Sequence, residues 1–231
     1  MNIQLTSLLQ GAKAAEGVVI IIDVFRAFTT AAVAFARGVE KVILVAEVEE
    51  ALALRHQSKG QLCMGEVGGR KPEAFDFGNS PYELSQAEGL SGQTLIQSTR
   101  AGTVGVAAAT QAETLYLGSF VTASATVRAI LDQKPPLVSI VAMGAEAKRR
   151  TDEDEQCALY LRNLFQGRHP NVEAVSHLVR MGEEAQKYDD PALPHFHPQD
   201  KEVALQIDQY AFALRVTRED GLLVARKEAV A

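Results

Sequence analysis

GVVIIIDVFRAFTT, Gly17 to Thr30, runs five consecutive β-branched residues, Val18–Ile22, straight into Asp23, with Arg26 three positions on and an alanine-rich helical pattern after Thr30. A continuous apolar run without alternation suits a parallel strand covered on both faces. In open α/β sheets ligands collect beyond the carboxyl ends of such strands. Asp23 and Arg26 therefore stand where chemistry is expected.

Outward from that strand, read as 18–24, apolar runs alternate with helical patterns. A helix over 28–37 is stopped by Gly38, and KVILVA (41–46) is followed by a helix ending near Lys59-Gly60. QLCMGE (61–66) reads as a strand and Gly65–Asn79 as a long loop. Ser80-Pro81-Tyr82-Glu83 has capping-box spacing with proline at the first helical position. TLIQS (94–98), a helix over 104–111, ETLYLGS, a helix near 122–132 and PLVSIVAMG (136–144) continue the β/α order. From Thr151 longer helical patterns take over, broken by DDPALPHFH (189–197), and the end reads as two strands joined at TREDG. The expectation is one α/β domain over residues 1–231, three-layered α/β/α, with a mostly parallel sheet that becomes mixed if the last hairpin joins it.

With 231 residues, 47% of them hydrophobic and 23% charged, the chain has an ordinary globular composition. Its net charge of -6 argues against nucleic acid or anionic lipid as a partner. An anionic substrate must then be held by local arginines or a metal. Cys63 and Cys157 lack metal-site spacing and read as reduced, buried thiols. The first residues show neither a basic leader nor a long apolar stretch, and no run is long enough to span a membrane, so the cytoplasm is the expected address.

Carboxylates gather at predicted strand exits: Asp23, Glu66, and the run Asp152, Glu153, Asp154 and Glu155. Brought to one sheet edge they suit a hard cation such as Mg²⁺, which takes oxygen ligands and keeps waters for a phosphate to replace. The acidic run equally suits the first turn of a helix capped by Thr151. Ser98, Thr99, Arg100, Gly102 and Thr103 follow a strand and open a helix, a setting for a phosphate or sulfonate group and also for an ordinary turn. The spacing is not that of a P-loop, and no GxGxxG, GxSxG or HExxH motif occurs. His195 and His197 read as solvated loop histidines, because no third zinc ligand is evident.

Taken in order, IDVFRAFTTAAVAFARG, MGEVGG with FDFGNSPYEL, QSTRAGTVGV, SFVTASATVRAI and AMG with TDEDEQCALYL resemble the 2-phosphosulfolactate phosphatase family over about residues 15–165. The resemblance implies Mg²⁺-dependent hydrolysis of 2-phosphosulfolactate to sulfolactate and phosphate, as in coenzyme M biosynthesis. Asp23, Arg26 and Glu66 become the expected catalytic residues. Mg²⁺ is expected on Asp23 with Glu66 or with Glu153 and Asp154. Arg26 and Arg100 would neutralise developing charge, and Thr29, Asn79, Ser80 and the 98–103 loop would bind substrate. Direct attack by Asp23 is an alternative; the DxDx[TV] pattern of the haloacid-dehalogenase arrangement is not met, since Phe25 holds the second position. Another small phosphorylated acid as substrate, or a non-catalytic module binding an anionic metabolite, would use the same loops. Residues 166–231 match less clearly and carry no site expectation; a homo-oligomer is expected on general grounds.

Overall fold

The β-branched run forms a central strand because both of its faces are covered. In the computed structural model, which describes residues 1–230, all six residues of Gly17–Ile22 are buried; Val19 and Ile21 enter one core, Val18, Ile20 and Ile22 another. In chain order the strands are β1 (Asn2–Ser7), β2 (Gly17–Ile22), β3 (Lys41–Val45), β4 (Leu62–Gly65), β5 (Thr94–Ser98), β6 (Ala112–Gly118), β7 (Leu137–Ala142), β8 (Phe212–Glu219) and β9 (Leu222–Ala229). The helices are α1 (Leu8–Ala14), α2 (Ala27–Ala36), α3 (Val48–His56), α4 (Pro81–Gln86), α5 (Gly102–Ala108), α6 (Ala123–Asp132), α7 (Asp152–Phe165), α8 (Val172–Arg180), α9 (Glu183–Gln186) and α10 (Pro198–Ala204).

One nine-stranded mixed sheet runs β1-β7-β2-β6-β8-β9-β3-β5-β4, with helices on both faces. The last hairpin lies in its middle. Asp220 and Gly221 both take positive φ, which matches a tight turn to the right-handed twist of the flanking strands. β8 pairs antiparallel with β6, and β9 antiparallel with β3. The set β1, β7, β2, β6 and the set β3, β5, β4 are each internally parallel. Three successive antiparallel pairings therefore point the two sets in opposite directions.

On a flat sheet their carboxyl ends would lie at opposite edges. Yet Arg26, beyond β2, donates to the Gly69 carbonyl, beyond β4, at 3.1 Å. Neighbouring strands rotate by roughly 20–25°, so the five steps from β2 to β5 accumulate about 100–125°. That twist turns both sets of carboxyl ends toward a shared region. α2 fills the space between, with nine of its ten residues buried, and α5 packs on both β2 and β3.

Several elements depart from the sequence reading, among them α1, for which it had no helix. β1 is an edge strand paired only to β7; apolar Ile3 and Leu5 alternate with Asn2, Gln4 and Thr6 and pack against a core, a short signal that the sequence reading did not use. The pattern over 171–188 breaks at Met181-Gly182, where a Cβ on Gly182 would stand 2.8 Å from an Asp152 carboxylate oxygen. α10 follows the proline-rich segment; the His197 ring nitrogen accepts the Gln199 N–H at 3.1 Å and caps it. His197 also stacks on Tyr82, so it is a capping residue and not a free loop histidine.

Candidate active site

Asp23 ends β2 and caps α2, its Oδ1 accepting the Ala27 N–H at 2.9 Å. A Cβ on Gly102 would come within 2.8 Å of Asp23 Oδ2, so only glycine lets the start of α5 lie against this carboxylate. Burial pushes the Asp23 carboxyl up to about 6; the Ala27 and Gly102 amides and Arg26 oppose the rise, and Glu66 adds to it. Near neutral pH it is ionised and more basic than an exposed aspartate.

Asp23 opens on a cavity of about 530 Å³ whose wall also includes Arg26, Glu66, Asn79 and Arg100. Both Glu66 oxygens accept backbone N–H groups, Oε1 from Arg100 at 2.8 Å and Oε2 from Gly69 at 2.7 Å. Asn79 is 6% exposed, and among the described residues its Oδ1 has no hydrogen-bond partner. The Arg100 guanidinium pairs with Glu47, at 3.1 Å in solvent.

Arg26 is held differently. It is 3% exposed, with Nη1 on Asp200 Oδ2 at 2.7 Å and on the His195 carbonyl at 3.0 Å, and its guanidinium lies over the rings of Phe196 and Tyr188. Asp200, fully buried, also accepts from the Ser80 hydroxyl at 2.6 Å and the Tyr82 N–H at 3.0 Å. One ion pair thus joins the exit of β2, the loop before α4 and the segment over 187–200.

Other expected site residues lie behind this wall. Ser80 caps α4, accepting the Glu83 N–H, and its hydroxyl proton goes to Asp200. The Thr29 hydroxyl donates to the Val24 carbonyl, Ser98 is buried at the end of β5, and Thr99 and Thr103 lock one another across the turn into α5. Asp154 accepts the Val24 N–H on one oxygen and the Gly144 N–H on the other, both at 2.8 Å, tying the exits of β2 and β7 together. Neither Asp154 nor the buried Glu153 is among the residues lining the cavity.

Sequence reasoning missed the other side of the cavity. Lys148 and Arg149 line it from the exit of β7, Glu184 and Lys187 from α9 and the turn after it, and His195 and Phe196 from the proline-broken segment. The segment expected to be a solvated connection is half-buried at His195 and Phe196 and forms part of the wall. Burial, with Arg70 and Arg26 nearby, lowers the His195 pKa and so favours its neutral form. The only local signal was the density of prolines and aromatics over 188–198.

A family model described as 2-phosphosulpholactate phosphatase matches residues 4–193. The chain belongs to that family. Members similar to it include proteins named "Probable 2-phosphosulfolactate phosphatase" from Carboxydothermus hydrogenoformans, 42% identical over 52% of this chain and 49% of the relative, and from Caldicellulosiruptor saccharolyticus, 35% identical over 66% and 64%. A third, from Bacillus subtilis, is 30% identical over 78% of each chain. The chain thus spans about half the length of the first of these family members and just under two thirds of the second. The family match extends past α8 and α9, so it takes in Arg149, Glu184 and Lys187. Among the described residues no helix is long and apolar enough to cross a membrane.

The buried carboxylates make stability pH-dependent. Burial pushes Glu153 up to about 8, with Glu184 and Asp23 adding repulsion. The unfolded chain loses this proton near 4.5, so between about 4.5 and 8 the folded protein holds a proton the unfolded one has released. Stability therefore falls as pH rises through that window. In EDTA the melting temperature should drop by at least about 5 °C between pH 5.5 and 8.5, at ~1.4 kcal/mol per pKa unit. Glu153→Gln should flatten the profile; an unchanged slope in that variant would contradict the assignment.

Proposed function

We propose that this chain is a single-domain, Mg²⁺-dependent phosphatase that hydrolyses 2-phosphosulfolactate to sulfolactate and phosphate. The observation that carries the reading is one cavity lined both by oxygen donors for a hard cation and by cationic side chains for a polyanion. The names of its relatives supply the substrate.

The donor chemistry fits Mg²⁺. Asp23 and Glu66 offer carboxylate oxygens, and Asn79 Oδ1 is a buried amide oxygen with no partner. Among the described residues no three His, Cys, Asp or Glu side chains form a ready-made cage, so the ion would keep waters that substrate oxygens replace. Bound there, Mg²⁺ supplies charge against the phosphoryl oxygens and eases ionisation of water.

The chain's own groups do the rest. Arg100 can leave an exposed pair worth ~0–1 kcal/mol to meet the phosphate. Asp23, its carboxylate oriented by the Ala27 amide, is the base placed to take a proton from water as the oxygen adds to phosphorus. The ester oxygen leaves and takes up a proton. Arg26 does not turn to the substrate, since Asp200 and two carbonyls hold it; it keeps the wall together.

Phosphate release from 2-phosphosulfolactate, phosphoglycolate, 2-phosphoglycerate and phospholactate tests the reading. Release should be greatest from 2-phosphosulfolactate, vanish in EDTA and return with Mg²⁺. Metal-dependent release from another ester alone would discard the substrate and keep the mechanism. Tight binding across the panel without turnover would replace the enzyme by an anion-binding module.

A further inference from the structure

Two basic side chains in the cavity wall already hold an anion, and that anion belongs to the protein. The Glu184 carboxylate is bridged between the Arg149 guanidinium and Lys187 Nζ, the latter at 2.6 Å. All three line the same cavity as Asp23, Glu66 and Asn79, and Lys148 stands beside them. The loop carrying Lys148 and Arg149 is tightly built: Gly144 takes φ +64°, and a Cβ there would stand 2.1 Å from the Arg149 carbonyl oxygen. Ala145 bridges back to Arg149, closing the turn. A stiff turn thus presents a guanidinium whose other contact, to Glu183, is loose at 3.4 Å.

We propose that Arg149 and Lys187 form a second anion subsite, which reads one of the two acidic groups the substrate carries besides the phosphate, its carboxylate or its sulfonate, and that Glu184 occupies this subsite until the substrate displaces it. The inference rests on the phosphatase reading for the identity of the substrate. A carboxylate held by an arginine fork and an ammonium presents the same charge and acceptor geometry as a carboxylate or sulfonate on a small acid. The exchange is cheap. Arg149 is half exposed and Lys187 about a third exposed, so solvent screens both contacts even though the Glu184 carboxylate is mostly buried. Without a ligand, Glu184 keeps the two cations from repelling each other; with one, it gives way to an anion that the phosphate anchors. Esters lacking a second acidic group gain nothing at this subsite, so Arg149 and Lys187 set specificity and take no part in the chemistry.

The test compares 2-phosphosulfolactate with isopropyl phosphate, which carries no second acid, and adds calorimetric titration of sulfoacetate in the presence of inorganic phosphate. In Arg149→Ala the ratio of kcat/KM for the first ester over the second should fall at least about tenfold, the worth of one charge-assisted contact, through KM and with kcat largely kept. Arg149→Lys should recover part of that ratio. Glu184→Gln should act the other way, lowering KM for 2-phosphosulfolactate and tightening sulfoacetate by about threefold or more, because an internal competitor is gone. An unchanged ratio in Arg149→Ala, or weaker sulfoacetate binding in Glu184→Gln, would overturn the proposal. If the wild-type chain hydrolyses no ester, the phosphatase reading fails by itself. Sulfoacetate affinity that falls in Arg149→Ala and rises in Glu184→Gln would then still establish the subsite, and affinity indifferent to both would remove it.

Discussion

Asp23→Asn should reduce Mg²⁺-dependent phosphate release by at least about 10³-fold, some 4 kcal/mol of lost transition-state stabilisation. The substitution is isosteric, and the amide oxygen can still accept the Ala27 N–H, so the start of α2 should hold, while the Gly102 N–H loses its acceptor. What disappears is a charge whose burial raises its pKa to about 6. That charge also repels Glu153 and Asp154. The variant should therefore melt at a higher temperature than the parent in EDTA, and Mg²⁺ should stabilise it less. Loss of activity joined to gain of metal-free stability separates a functional carboxylate from a structural one, because a structural cap removed would lower both. Activity within tenfold of the parent would end the role assigned to Asp23.

Asp200→Ala should be the most damaging single change to the fold of the site. Arg26 would be left buried without its counter-charge, at a cost of about 3–5 kcal/mol, or ~6–20 °C in melting temperature for a chain of this size. Ser80 and the Tyr82 N–H lose the same acceptor. The double variant Arg26→Met with Asp200→Leu should recover much of the stability, since an apolar pair replaces the ions without stranding either. It should not recover activity, because the Gly69 and His195 carbonyls would no longer be gathered by one guanidinium. Differential scanning calorimetry beside phosphate release reads both effects; a drop under about 2 °C in Asp200→Ala would show that the pair does not hold the wall.

How much of this was legible depended on the range of the signal. Val18–Ile22 and Asp23 declare a buried strand and its chemical end within a few residues, and Ser80-Pro81 declares a helix start the same way. Asp23, Arg26, Glu66, Asn79 and Arg100 follow strand exits or precede a helix, and all five meet at the cavity. Asp200 carries no comparable mark. Its importance comes from Arg26, met only after the chain has crossed the sheet, and from a proline-broken segment whose course no local pattern specifies. Hydroxyl-rich turns read two ways: Thr99, Thr103 and Ser80 have side chains that satisfy nearby backbone groups, the use such residues have in any strand-to-helix turn. The pairing of Val42 with Ala225 is invisible to periodicity, so a hairpin readable in itself could not be placed between β6 and β3.

That placement bears on how the protein is made. During synthesis β6 and β3 emerge long before β8 and β9, and until the hairpin arrives each is the open edge of a half-built sheet. Such edges can recruit strands from other chains. Completion also demands contacts between residues far apart along the chain, which slows folding. The nascent polypeptide must keep two adhesive borders apart until β8 and β9 emerge, and that late ribbon is the seam that closes both.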